Sequence, residues 1–269
     1  MDMALFGIED FSFDDMACDV IAIGPVRQGD DFTGEAAWQS ILLSPLGYEV
    51  YILDSMKTEE DRKWLKKAAS SYGIYVEREI GEYLKKCKVI SVSGLFEEDS
   101  LPTDQLLEIF QTGAAHKAVI CVDPGRVLHF EEDRKRLEIL APYIDIILPN
   151  EEEARRLTGQ DFLPQMAETF LDMGIARSVI TLGRDGCFVR EKENRFAMGA
   201  IPGQCKNEIG VGANFTAGFI HGLFQDWMMK TKCEYACGCA TASMKYDDPV
   251  EGARERKEEI KLLLKNPYL

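Results

Sequence analysis

The chain has 269 residues and carries 46 acidic against 31 basic side chains, a formal net charge of −15. That length suits one large domain, and 46% hydrophobic with 29% charged residues excludes a disordered chain. No run reaches the roughly 20 apolar residues of a membrane helix, the acidic start lacks the pattern of a signal peptide, and the charge opposes nucleic-acid or anionic-membrane partners, so a cytoplasmic protein is expected.

Along the chain, short apolar runs alternate with amphipathic segments. The apolar runs predict strands at 4–8, 20–24, 49–53, 89–93, 118–122, 144–148, 179–182 and 187–190. Helical spacing predicts helices at 35–46, 59–72, 103–112, 131–140, 151–158 and 164–173. Three more follow, at 212–227, 232–245 and 251–264. Runs such as Ile146-Ile147-Leu148 are apolar throughout rather than alternating, as strands covered on both faces are. Alternating strand and helix with such strands predicts an α/β domain with a mostly parallel sheet, 1–269 forming one unit.

Five of the eight cysteines stand singly, and buried reduced thiols are expected. The group Cys233, Cys237 and Cys239 has a C-x₃-C-x-C spacing that matches no usual zinc pattern, and His221 is a helix away.

Ligands of parallel α/β folds gather at the carboxyl ends of the strands. There stand Asp123-Pro124-Gly125-Arg126, then Pro149-Asn150-Glu151-Glu152-Glu153, then Gly183-Arg184-Asp185-Gly186. Gly210-Val211-Gly212-Ala213 opens a long helix, whose free N–H groups and dipole attract an anion. Asn150 and Glu153 have the spacing of a capping box. Asp123-Pro124 reads as a strand-ending turn, Trp38 and Phe215 as packing aromatics. His116, His129 and His221 have no nearby nucleophile and receive no catalytic role. A nucleotide-binding oxidoreductase is excluded, because Gly7 is followed by Ile-Glu-Asp-Phe-Ser and not by G-x-G-x-x-G.

Leu148–Ala154, Val179–Gly186 and Gly210–Phe219 together resemble the PfkB (ribokinase-like) family of carbohydrate and nucleoside kinases. The family's N-x-x-E, T-x-G-x-x-G and T-G-A-G-D-x-F-x-A-G-F motifs come in that order and at similar separations. The resemblance implies a three-layer α/β sandwich with a mostly parallel central sheet and a β lid over the sugar. It also implies Mg²⁺-dependent transfer of phosphate from ATP to a hydroxymethyl group of a sugar or nucleoside, and a homodimer where subunits pair through the lid. By position, Asn150 and Glu153 would organise Mg²⁺ and phosphates, with no residue ligating the metal directly. Thr181, Gly183 and Gly186 would line the nucleotide. The amides of Gly210, Val211, Gly212 and Ala213 would form the anion hole.

The departures fall on catalysis and on the sugar side. Where the family carries its proton-accepting aspartate, this chain has Ala213, and a methyl group accepts no proton. Asn207-Glu208-Ile209 replaces the usual D-T-T, with Glu208 opposing phosphate. On the substrate side, Ser12 replaces an aspartate, Thr33-Gly34 replaces a glycine pair, and Trp38 replaces the sugar-binding asparagine. The lid is expected to be reduced, its remnants within 10–35 and 74–92, with 19–24 a candidate piece. These losses predict impaired catalysis or none. The alternatives are an active kinase with a substitute base, for which Asp30 and Asp31 are candidates, and a ligand-binding or regulatory pseudokinase.

Overall fold

A computed structural model describes residues 18–28, 32–225 and 227–246. The expected strand at 4–8, the expected helix at 251–264, and Ser12, Asp30 and Asp31 lie outside the described residues.

The central sheet has nine strands. In chain order they are β1 (Val20–Ile23), β4 (Val50–Leu53), β5 (Tyr75–Glu77), β6 (Val89–Ser93), β7 (Val119–Asp123), β8 (Ile146–Ile147), β9 (Arg177–Thr181), β10 (Cys187–Glu191) and β11 (Asn194–Met198). The spatial order is β11-β10-β9-β8-β7-β6-β1-β4-β5. From β5 to β9 every pairing is parallel, and β10 and β11 close one edge as antiparallel strands. The remaining strands, β2 (Arg27–Gln28) and β3 (Phe32–Thr33), form a separate two-stranded ribbon.

Period-2 alternation divides the apolar residues between two faces. Ile21, Ile23, Ile120, Val122 and Ile147 pack on one face against α4 (Thr103–Ala115), α5 (Phe130–Leu140), α6 (Glu151–Thr158) and α7 (Leu163–Asp172). Val20, Val50, Cys121, Ile146 and Val179 pack on the other, against α8 (Val211–Phe224) and α9 (Met229–Ser243). Beside these last helices, Ala22, Ile52 and Val76 meet α1 (Glu35–Leu43) and α2 (Glu59–Ser70). The result is the expected three-layer sandwich around a mostly parallel sheet.

Three sequence readings are corrected. Residues 19–24 are not a lid remnant: β1 pairs in parallel with β4 and β6 at the middle of the sheet, and Val20 to Ile23 are all buried. Helix α1 stops at Leu43 because Pro45 turns the chain into a single 3₁₀ turn, Ser44–Leu46. Strand β11 was not expected, since its side chains are mostly exposed and give no apolar period; its partner β10 holds it in place. Between β5 and β6 stands only the one-turn α3 (Gly81–Leu84), so no lid strands are inserted there.

All eight cysteines are free thiols, and only Cys205 is exposed. No helix among the described residues is long and apolar enough to cross a membrane.

Candidate active site

The carboxyl ends of β7, β8 and β9 open on a cavity of about 370 Å³. Its walls come from distant parts of the chain. Asp123 is the last residue of β7, Asn150 caps α6 just after β8, and Thr181 ends β9. Glu35 begins α1, and Gly212, Phe215 and Thr216 present the first turns of α8, at the i, i+3 and i+4 spacing of one helix face. Arg27 from the ribbon and Glu97 from the turn after β6 form an ion pair at the wall.

Local chemistry fixes each position. At α6 the capping box is complete: the Glu153 backbone N–H donates to Asn150 Oδ1 at 2.9 Å, and the Asn150 N–H donates to Glu153 Oε2 at 2.8 Å. The Thr181 N–H donates to the Pro149 carbonyl at 2.9 Å, which ties the end of β9 to the start of α6. At α8 the chain turns through Gly210 with φ of 71°, a left-handed conformation that a side chain would strain. The Asn214 amide then donates back to the Gly210 carbonyl at 2.7 Å. Asp123 Oδ1 accepts the Gly125 N–H at 3.1 Å, and the Thr216 hydroxyl also donates to the Asp123 carboxylate.

Three carboxyl groups are thereby enclosed together, and all three hold protons more tightly than usual. Burial lifts Glu35, and the charges of Asp123 and Glu97 add to it against the pull of Arg27. Burial also lifts Asp123, with Glu97 adding and the bonds from Gly125 and Thr216 opposing. For Glu153, burial again leads; Asp123 and Glu35 add to it while Asn150 opposes. Glu35 Oε2 is shut off from solvent without a hydrogen-bond partner. The cavity therefore favours positive charge. Among the described residues no group of three or more His, Cys, Asp or Glu is placed to hold a metal ion by itself. This donor set suits a Mg²⁺ ion that arrives with phosphate oxygens as its main ligands and poorly suits a bare polyphosphate.

The expected site residues divide into two groups. Asn150, Glu153, Thr181 and Gly212 line the cavity together. Gly183 and Gly186 sit in the β9–β10 turn, outside the cavity wall; a Cβ on Gly186 would lie 1.9 Å from the Met198 carbonyl oxygen, so that turn admits only glycine. Gly34 is the N-cap of α1, immediately before Glu35, and Trp38 is half-buried on α1 away from the cavity wall. Ala213 is fully buried and does not itself line the cavity, while its neighbour Gly212 does. Glu208 is exposed and does not line the cavity, so its charge bears less on phosphate than its place in the sequence implies.

The sequence reading missed Glu35, Glu97, Arg27 and Thr216, and treated Asp123 only as a turn residue. The turn exists, made by the Gly125 bond, but the same carboxylate lines the cavity. Two signals were available. An acidic residue followed the substrate-side Gly34, and Asp123 ended an apolar strand at the edge where ligands gather.

Comparison with known proteins agrees with this fold. A 6-phosphofructokinase of Thermoanaerobacterium thermosaccharolyticum is 27% identical over 135 residues, 49% of this chain and 42% of that protein. The chain thus matches less than half the length of that relative. An Arabidopsis thaliana ribokinase solved with ribose and ATP superposes with a TM-score of 0.75 at 15% identity, covering 93% of this chain and 99% of the other. A ribokinase-II-type protein of E. coli solved with ATP and Mg²⁺ gives 0.76 at 16% identity, covering 91% and 99%. The model of the pfkB family carbohydrate kinases matches residues 58–255. With the sandwich fold, the ordered motifs and that match over most of its length, the chain belongs to the pfkB carbohydrate kinase family.

Proposed function

We propose that the protein transfers the terminal phosphoryl group of Mg²⁺-bound ATP to a hydroxyl of a sugar or nucleoside, at a rate reduced by the alanine at position 213. The observation that carries this reading is the shared cavity: the start of α8 and the Asn150–Glu153 capping box open onto one space. ATP supplies the phosphoryl group, and Mg²⁺ offsets its charge. The chain's own residues position and stabilise. Backbone N–H groups at the start of α8 point toward an anion, with Gly212 leaving the approach open because a Cβ there would meet nothing within 4 Å. Glu153 and Asn150 hold the metal–phosphate unit in place, and Thr181, Gly183 and Gly186 flank the nucleotide. The Arg27–Glu97 pair at the wall borders the acceptor side.

A phosphoryl-transfer screen over ribose, fructose 6-phosphate and a riboside tests the reading, run with the native chain beside Ala213→Asp. Slow turnover that rises at least tenfold in the variant is expected, since a positioned base contributes about 10²–10⁴ in rate. Two features favour a second reading, a ligand-binding pseudokinase: the alanine at 213 and the carboxyl of Glu35 inside the cavity. That reading predicts no transfer by either protein.

A further inference from the structure

We propose that Gln39 is a positioning residue for the acceptor side of the cavity, acting through two hydrogen bonds that tie α1 to β6. The inference rests on the kinase reading above, which puts the acceptor beside the Arg27–Glu97 pair. Gln39 is fully buried, and both ends of its amide are used. Its Nε2 donates to Ser93 Oγ at 2.6 Å, and its Oε1 accepts from Ser91 Oγ at 2.8 Å. The serines stand two apart on β6, so period-2 alternation turns both toward α1. Both are buried as well.

The surroundings are apolar. Ala22 lies opposite Ser91 in register, and Ala36, Ala37 and Ile41 share α1 with Gln39. Three polar side chains are not needed to fill that space. Apolar ones would pack there without direction, whereas two bonds to one planar amide fix where α1 stands on β6.

Both ends of the tie lead to the cavity. Gln39 is four residues after Glu35, on the same helix face, and Glu35 lines the wall. Ser93 leads into Gly94, whose N–H donates to the Asp123 carbonyl at 3.0 Å and whose carbonyl accepts the Glu97 N–H at 3.0 Å. This corner has no slack. A Cβ on Gly24 would lie 2.4 Å from the Ser93 carbonyl oxygen, and one on Gly125 would lie 2.7 Å from the Gly94 Cα. A shift of α1 against β6 therefore moves Glu35 relative to Glu97 and Arg27. Asn150 and Thr181, set by α6 and β9, are not part of the tie.

The test uses Gln39→Leu and the triple variant Gln39→Leu/Ser91→Ala/Ser93→Ala, each in the native chain and with Ala213→Asp added. The single variant leaves two buried hydroxyls without the amide and should lower the melting temperature by about 4 °C or more. The triple variant removes the partners too and should melt within about 3 °C of its parent. What stays altered in it is position. Kinetics use whichever of ribose, fructose 6-phosphate or a riboside the parent turns over fastest. For that acceptor kcat/KM should fall about tenfold or more, while KM for ATP stays within about twofold. Hydrogen exchange, which needs no turnover, should quicken several-fold at the Trp38, Gly94 and Glu97 amides and stay unchanged at Ala154 and Thr181. Should either leucine variant fail to fold, Ser93→Ala takes its place; it cuts the tie at the end nearer the cavity and should split the two KM values in the same way. A role in core filling alone predicts that the triple variant keeps its parent's acceptor kinetics and exchange, and that result overturns the assignment. So does an equal rise in both KM values, which would place the effect throughout the site. If no parent transfers phosphate, the kinase reading fails on its own, and the exchange pattern alone upholds or overturns the tie.

Discussion

Glu35 carries a carboxylate oxygen that is closed off from solvent and meets no donor. An ionised carboxyl so placed costs the fold stability, and the cost is greater because Asp123 and Glu97 share the space. Glu35, Asp123 and Glu153 are all raised by burial first and by one another second. Their contribution to stability is therefore fully present below the ordinary carboxylate range near pH 4 and is lost as the pH rises through the raised values. Glu35→Gln should then stabilise the ligand-free protein at pH 8, by on the order of 1–2 kcal/mol or about 2–8 °C in Tm, and by little at pH 4.5. Thermal melts at the two pH values check this, and an equal effect at both would show that the charge is not the cause. Such a carboxyl cannot be read from sequence. Glu35 follows a glycine as the first residue of a helix, where an acidic side chain normally just complements the helix dipole. Only the fold brings it against Glu97 and Asp123, about 60 and 90 positions away.

At the scale of elements, the start of α6 serves both structure and site. The capping box predicted from Asn150 and Glu153 is present with both bonds made, and it places Glu153 in the cavity. Asn150→Ala should cost about 1 kcal/mol, roughly 2–4 °C in Tm, and should weaken protection by Mg-ATP as well. Melts with and without Mg-ATP separate the two effects. Gly210→Ala tests the start of α8. Because φ is 71° there, the substitution should cost about 1–2 kcal/mol and reorient the free N–H groups, lowering nucleotide protection more than Asn150→Ala does. Elements with strong periodicity were legible in sequence, α6 to the residue and α2 and α7 nearly so. Those set by pairing were not. Strand β8 shrinks to Ile146–Ile147, with Ile144 and Leu148 buried on either side of it. Strand β11 follows from its hairpin with β10, not from any apolar pattern of its own.

For the whole molecule, the doubly covered parallel sheet was legible because its central strands are apolar on both faces. The position of β1 was not, since Val-Ile-Ala-Ile fits any buried strand and its place between β4 and β6 depends on contacts far along the chain. The net charge of −15 extends into the cavity, where carboxyl groups outnumber the arginines Arg27 and Arg126. The central claim is therefore a cavity that accepts nucleotide only with its metal. Thermal melting of the native chain with ATP, in Mg²⁺ and then in EDTA, tests it most directly. Near 100 times the dissociation constant, Mg-ATP should stabilise by about 2.7 kcal/mol, a rise of roughly 5–10 °C, and ATP in EDTA should give less than about a third of that. No shift with Mg-ATP, or an equal shift without the metal, would contradict the account.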